Sequence, residues 1–164
     1  MQNAKDTFYT TLRERLAALN PSRTMVVRGI TRPAVLVEEN ELPSDVVPAD
    51  AFRLRWLGLK IDAHSALPLA AMTCEIRYAT DGNAGNGGMD RGRLLAAMDA
   101  ELVAALAQAP QSTAKTSYSA APPVAMATNV FWGDAVFSAV VATGERLERA
   151  ATVEVFCYQE AGER

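Results

Sequence analysis

Histidine is almost missing from this chain of 164 residues: His64 is the only one, and cysteine occurs twice, as Cys74 and Cys157. One histidine cannot supply the paired imidazoles of a catalytic zinc site, and a nucleophilic triad would have to be built on His64 alone. The cysteines stand 83 positions apart, which fits neither a metal-ligand spacing nor the disulfide framework of a small secreted domain. They are expected as two buried thiols in a reducing compartment. Long apolar runs are absent as well. No window approaches the about 18 consecutive apolar residues of a membrane span, and the opening MQNAKDTFYTTLRERLAAL carries charges where a signal peptide needs its apolar stretch. The expectation is a protein that stays inside the cell that makes it. A basic surplus is also lacking: 16 Lys and Arg against 19 Asp and Glu leave a formal charge of −3 and a pI near 5.2, so phosphate neutralisation is not a property of the whole domain.

What remains is an apolar, alanine-rich chain. Hydrophobic residues make up 49% and charged residues 21%, too apolar for disorder. The length suits one α+β domain over residues 1–164, with a real core. Alanine, at 30 positions, favours helix and close packing but names no chemistry.

Phe8, Leu12, Leu16 and Leu19 recur at helical spacing, which predicts a helix from about Lys5 to Leu19, with Asn3 or Asp6 at its start and Asn20-Pro21 at its end. MVVRGI (25–30) and PAVLVEE (33–39) read as two strands, and EENELPSDVVPAD (38–50) as an acidic loop. From Ala51 the period is two: Phe52, Leu54 and Trp56 share one face and Arg53 and Arg55 the other, with a bulge expected at Gly58. A turn around Asp62 to Pro68 leads to a second alternating strand, with Met72, Cys74, Ile76 and Tyr78 against Thr73, Glu75 and Arg77. This is an antiparallel hairpin with one wet face. After a glycine-rich segment, Asp90 opens a helix from about Arg91 to Ala109, striped by Leu95, Met98, Leu102 and Leu106. Residues 111–128 read mostly as loop, with room for a short edge strand. Two long strands then flank a turn near Gly144 to Arg149. The first, through Val136 and Val141, is expected to be central; the last carries Phe156 and Tyr158 on a face suited to another element or subunit. The sum is an α+β fold: a mostly antiparallel sheet of about five or six strands flanked by two main helices.

Catalytic motifs do not emerge. The glycine segment at 82–88 lacks the Lys-Ser or Lys-Thr of a phosphate loop, fails dinucleotide spacing, and breaks the calcium-loop pattern at Asn86 and Gly92. No G-x-S-x-G, H-E-x-x-H or C-x-x-C occurs. No cofactor or metal is therefore expected. Charge distribution carries more. Residues 1–37 hold six basic groups against two acidic ones, and residues 38–50 hold five acids and no base. Adjacent segments of opposite sign suit either head-to-tail association, which closes into rings, or neutralisation within the chain.

The order helix, strands, β-hairpin, helix, β-hairpin, with the first helix preceding R-P-A-V-L-V-E-E-N at 32–40, resembles the tail terminator (minor tail) proteins of long-tailed phages. The resemblance covers about residues 5 to 160 and lies in element order and strand character. It implies a non-enzymatic subunit that assembles with itself into a ring, usually a hexamer, on the end of the tail tube. The tail tube protein and the head–tail connector would be its partners, without nucleic acid or membrane. Its place would be the bacterial cytoplasm during assembly and the virion tail afterwards. Under that reading, local charge selects Arg13, Arg15, Arg28 and Arg32 against Glu38, Glu39, Glu41 and Asp45 as subunit contacts. The competing reading is an α+β enzyme or small-molecule-binding domain with a pocket lined by Trp56, Tyr78, Trp132 and Phe137.

Overall fold

A computed structural model describes residues 1–41, 46–64, 66–82, 89–119, 121–160 and 163. Its centre is β10 (Arg146–Tyr158), paired along its length with β5 (Leu69–Thr80), which in turn pairs with β4 (Phe52–Asp62). Beyond β4 lies β3 (Val35–Val37), the one parallel neighbour. On its other side β10 meets β7 (Val124–Trp132), β8 (Val136–Phe137) and β9 (Val141–Thr143) at successive positions, and β6 (Ser112–Ser117) borders β7. Helices α1 (Gln2–Leu19) and α3 (Met89–Ala107) flank this eight-stranded sheet, and a single turn, α2 (Glu38–Glu41), follows β3. A separate two-stranded sheet, β1 (Thr24–Val27) and β2 (Ile30–Pro33), stands beside α1.

Alternation decides which face is covered. Register puts Leu54 opposite Ile76, and Trp56 and Val153 opposite Cys74. The apolar face of three strands is thus continuous. Onto it pack Phe8, Leu12 and Leu16 from α1 and Leu95, Met98, Leu102 and Leu106 from α3, all buried in one cluster. Phe8 meets Trp56 and Trp132 edge-on, with ring centroids 6.0 and 5.5 Å away. Both cysteines are free and buried here, and burial pushes their thiols up. One polar network enters this layer: Tyr78, fully buried, donates its hydroxyl to Asp99 of α3, whose other oxygen accepts from Arg149 at 2.5 Å. Among the described residues, no helix is long and apolar enough to cross a membrane.

The α+β class and the mostly antiparallel sheet agree with the sequence, but the strand count does not. Five or six strands were expected, and the sheet has eight plus the separate hairpin. Three local causes account for the difference. Arg28 and Gly29 adopt positive φ of 50° and 80°, the signature of a tight two-residue hairpin turn, so 25–30 is two strands rather than one. Residues 112–117 form edge strand β6, the short edge strand for which the mostly loop-like segment left room, though it was not counted in the sheet. Only Lys115 of STAKTS is buried, so apolar alternation never marks it. The run 129–141 breaks at Gly133-Asp134 into β7, β8 and β9. Far from central, this last part is a border, with Val136 72% and Val141 57% exposed. The bulge falls where Gly58 foretold, with Leu57 as the extra residue between Trp56 and Gly58. Neither Asn3 nor Asp6 caps α1; both lie inside it.

Candidate functional site

Along two borders of the sheet, one on β4 and one on β8 and β9, backbone has no strand partner among the described residues. β3 covers only Phe52 to Leu54 of β4, so the second half of β4 is a bare edge among the described residues. It carries Leu57, Leu59 and Ile61, each half exposed. On the opposite side, β8 and β9 pair with β10 alone. That border presents Val136, Val140 and Val141. Exposed aliphatics beside free ladder groups are what proteins otherwise guard against with charge, bulges or covering chain. Here Lys60, Asp62 and the bulge temper the first border.

Each apolar border adjoins a shallow open groove. One, about 290 Å³, lies between the start of α1 and the β4 bulge, with Trp56, Leu59 and Met72 as its floor and Lys5 on its rim. The other, about 250 Å³, separates Val103, Leu106 and Ala107 of α3 from Ala135 and Phe137, with Asp134 as its one charged lining residue. The four aromatics expected around a common pocket are dispersed. Tyr78 and Trp132 fill the core, the latter donating its indole N–H to the Leu106 carbonyl at 3.0 Å. Trp56 and Phe137 border the two different grooves.

The charged residues selected from the sequence are largely engaged within the chain. Arg15 donates to the carbonyls of Ala105, Gln108 and Pro110 at 3.1, 2.8 and 2.8 Å and lies over the Trp132 ring. It thereby satisfies the orphan acceptors at the end of α3. Arg13 lies 5.2 Å over Tyr9 on its own helix. Arg32 pairs with Glu41, whose carboxylate also accepts from the Val37 N–H at 3.2 Å. Glu39 pairs with Lys5 at 3.4 Å. Glu38 meets Arg53 at 2.7 Å and Arg55 at 3.8 Å. Arg28 alone of the basic four stands exposed at a tip, in the β1–β2 turn. Asp45 lies outside the described residues, as does the glycine segment from Asn83 to Gly88.

Two further charge clusters appear in the structure. On the sheet face opposite α1 and α3, Arg55 pairs with Glu75 at 3.0 Å and Arg77 with Glu148. The alternation in the sequence placed Arg55, Glu75 and Arg77 on one wet face but did not pair them, and at Arg53, fully buried beside Glu38 of α2, that face is not wet. The second cluster is invisible in one dimension: Lys115, fully buried, donates to the Tyr158 carbonyl and to Glu163, both at 2.6 Å. Glu160 accepts from the backbone and hydroxyl of Thr128, and those bonds hold its carboxyl below the ordinary value. His64 is 97% exposed, and its ring sits 2.7 Å from Asp62. Among the described residues no group of three or more His, Cys, Asp or Glu side chains could hold a metal ion. Compared with models of protein families and with curated proteins, the chain matches none.

Proposed function

We propose that this chain is a tail terminator-like subunit of a phage or prophage tail, a non-enzymatic assembly protein. Its copies join head to tail in a ring that caps the tail tube and receives the head connector. The observation that carries the reading is the pair of unpaired, apolar sheet borders on opposite sides of one subunit. Different surfaces meeting in each contact make a heterologous interface, which closes into a ring when the rotation permits. The order of elements around R-P-A-V-L-V-E-E-N supports the same assignment. The aliphatic borders would supply most of the binding energy, and exposed ion pairs, about 0–1 kcal/mol each, would set register.

Native mass by light scattering tests this directly, with negative-stain microscopy of the same sample. The expected particle is a ring near six times the 17.6 kDa of one chain, and it persists in high salt because its contacts are chiefly apolar. A monomer across the accessible concentration range rejects the reading.

A further inference from the structure

The β1–β2 hairpin is the least explained part of the molecule. It forms its own sheet and meets the body chiefly where β2 touches α1. Val26 and Ile30 on it are 66% and 68% exposed. Register sets Val26 opposite Thr31, and Ile30 opposite Val27, so the two aliphatics point from opposite faces of the hairpin. At its tip Arg28 holds a left-handed backbone, φ 50°, which a side-chain-bearing residue adopts only at a cost. Among the described residues, no contact explains an arm with apolar residues on both faces and a guanidinium at the end.

We propose that this arm docks into the groove between α3 and β8 of a second copy of the chain. The inference rests on the ring reading above and names its contact. Three observations choose this groove. Its two walls are both apolar, Val103, Leu106 and Ala107 on one side and Ala135 and Phe137 on the other, which suits an arm with an aliphatic on each face. Its charged lining residue is Asp134, complementary to Arg28; the groove beside β4 has Lys5 and no carboxylate in its lining and offers the same tip no partner. Finally, the arm leads into β3 at one border of the sheet, while β8 lies at the other. A subunit therefore cannot fill its own groove by the same contact, and the docking propagates from copy to copy.

The groove is of aliphatic side-chain size, about 250 Å³, so Val26, Ile30 and the Arg28 head enter it rather than a whole strand. Asp134 already accepts from Gln111 at 2.9 Å, a neutral donor that leaves its charge available to an incoming guanidinium.

The experiment is the native mass of the full chain against dilution, for the wild type and three sets of variants. Val26→Asp with Ile30→Asp should make the particle dissociate at concentrations where the wild type stays assembled, with circular dichroism unchanged because both positions are exposed. Should that pair misfold, Val103→Glu on the groove wall gives the same readout from the other partner. Asp134→Arg alone should weaken assembly about tenfold, and Arg28→Glu with Asp134→Arg should restore it. A wild-type oligomer that survives the arm and groove variants overturns the docking and leaves the ring reading standing. A wild-type monomer overturns both.

Discussion

The two faces of β5 solve opposite problems with alternate residues of one strand. On one face Met72, Cys74, Ile76 and Tyr78 are wholly buried under α1 and α3. Thr73, Glu75 and Arg77 look the other way, where Arg55 pairs with Glu38 and Glu75, and Arg77 pairs with Glu148. Thr73 donates to Glu154 at 2.7 Å. At the far end of that face, Phe131 stacks on Phe156 at 5.5 Å, with Tyr158 beside them. Stability should therefore reside in the helix-covered layer, and the charged face, apart from the buried Arg53 beside Glu38, should be nearly neutral to change. A protein organised this way can vary its outer surfaces and borders for assembly without endangering its core.

The largest effect that would break this contrast is a core truncation matched by one on the open face. Phe8→Ala removes the ring that meets both Trp56 and Trp132 and should cost about 3–5 kcal/mol in urea denaturation. Phe156→Ala, on the open face, should cost less than half as much. Equal losses would mean that the open face is a second core.

An intermediate effect lies at the seam where α3 meets the chain leaving α1. Glu101 accepts from Arg23 Nε at 2.8 Å and Nη2 at 2.9 Å, and from Asn20 at 2.8 Å. Burial alone would raise its carboxyl; the bonds from Arg23 and Asn20 overcome this and hold it below the ordinary 4.5. Because the folded value is depressed, the stabilisation is complete above pH 4.5 and disappears as pH falls through the folded value. Glu101→Gln should thus be about 1–2 kcal/mol less stable than wild type at pH 7. The gap should narrow as pH falls below 4.5 and through the depressed folded value, read from denaturation midpoints across pH. A gap that stays constant would show that the carboxylate contributes by shape alone.

How much of this was legible in the sequence depends on whether the signal was periodic. The stripe from Phe8 to Leu16, that from Leu95 to Leu106, and the alternation in β4 and β5 all follow from burial on one face, and a single chain displays them directly. The border strands hide for the converse reason. β6 buries one lysine, and β8 and β9 bury almost nothing, so no apolar period exists to be read. Charge was legible only in part. The acidic run after β3 and the basic residues before it were visible, but Arg32 with Glu41, and Glu38 with Arg53, meet only once the chain folds back. Partnering of this kind is three-dimensional information. The arm and its groove share that limit: Val26 and Ile30 look like ordinary strand residues until the turn at Arg28-Gly29 leaves them exposed.

The smallest effect is also the sharpest test of the contrast. Arg77 and Glu148 face each other on the side opposite α1 and α3, each about one quarter exposed, and water competes for both. Exposed pairs of this sort contribute about 0–1 kcal/mol because the Coulomb gain is offset by side-chain ordering and salt screening. A double-mutant cycle with Arg77→Ala and Glu148→Ala should return a coupling in that range that shrinks further in 1 M salt. Phe8→Ala should keep its full cost in the same salt, since burial is not screened. A coupling above about 2 kcal/mol, insensitive to salt, would place the pair among desolvated contacts. The open face would then be a structural layer in its own right, and assembly would have to be sought on the borders alone.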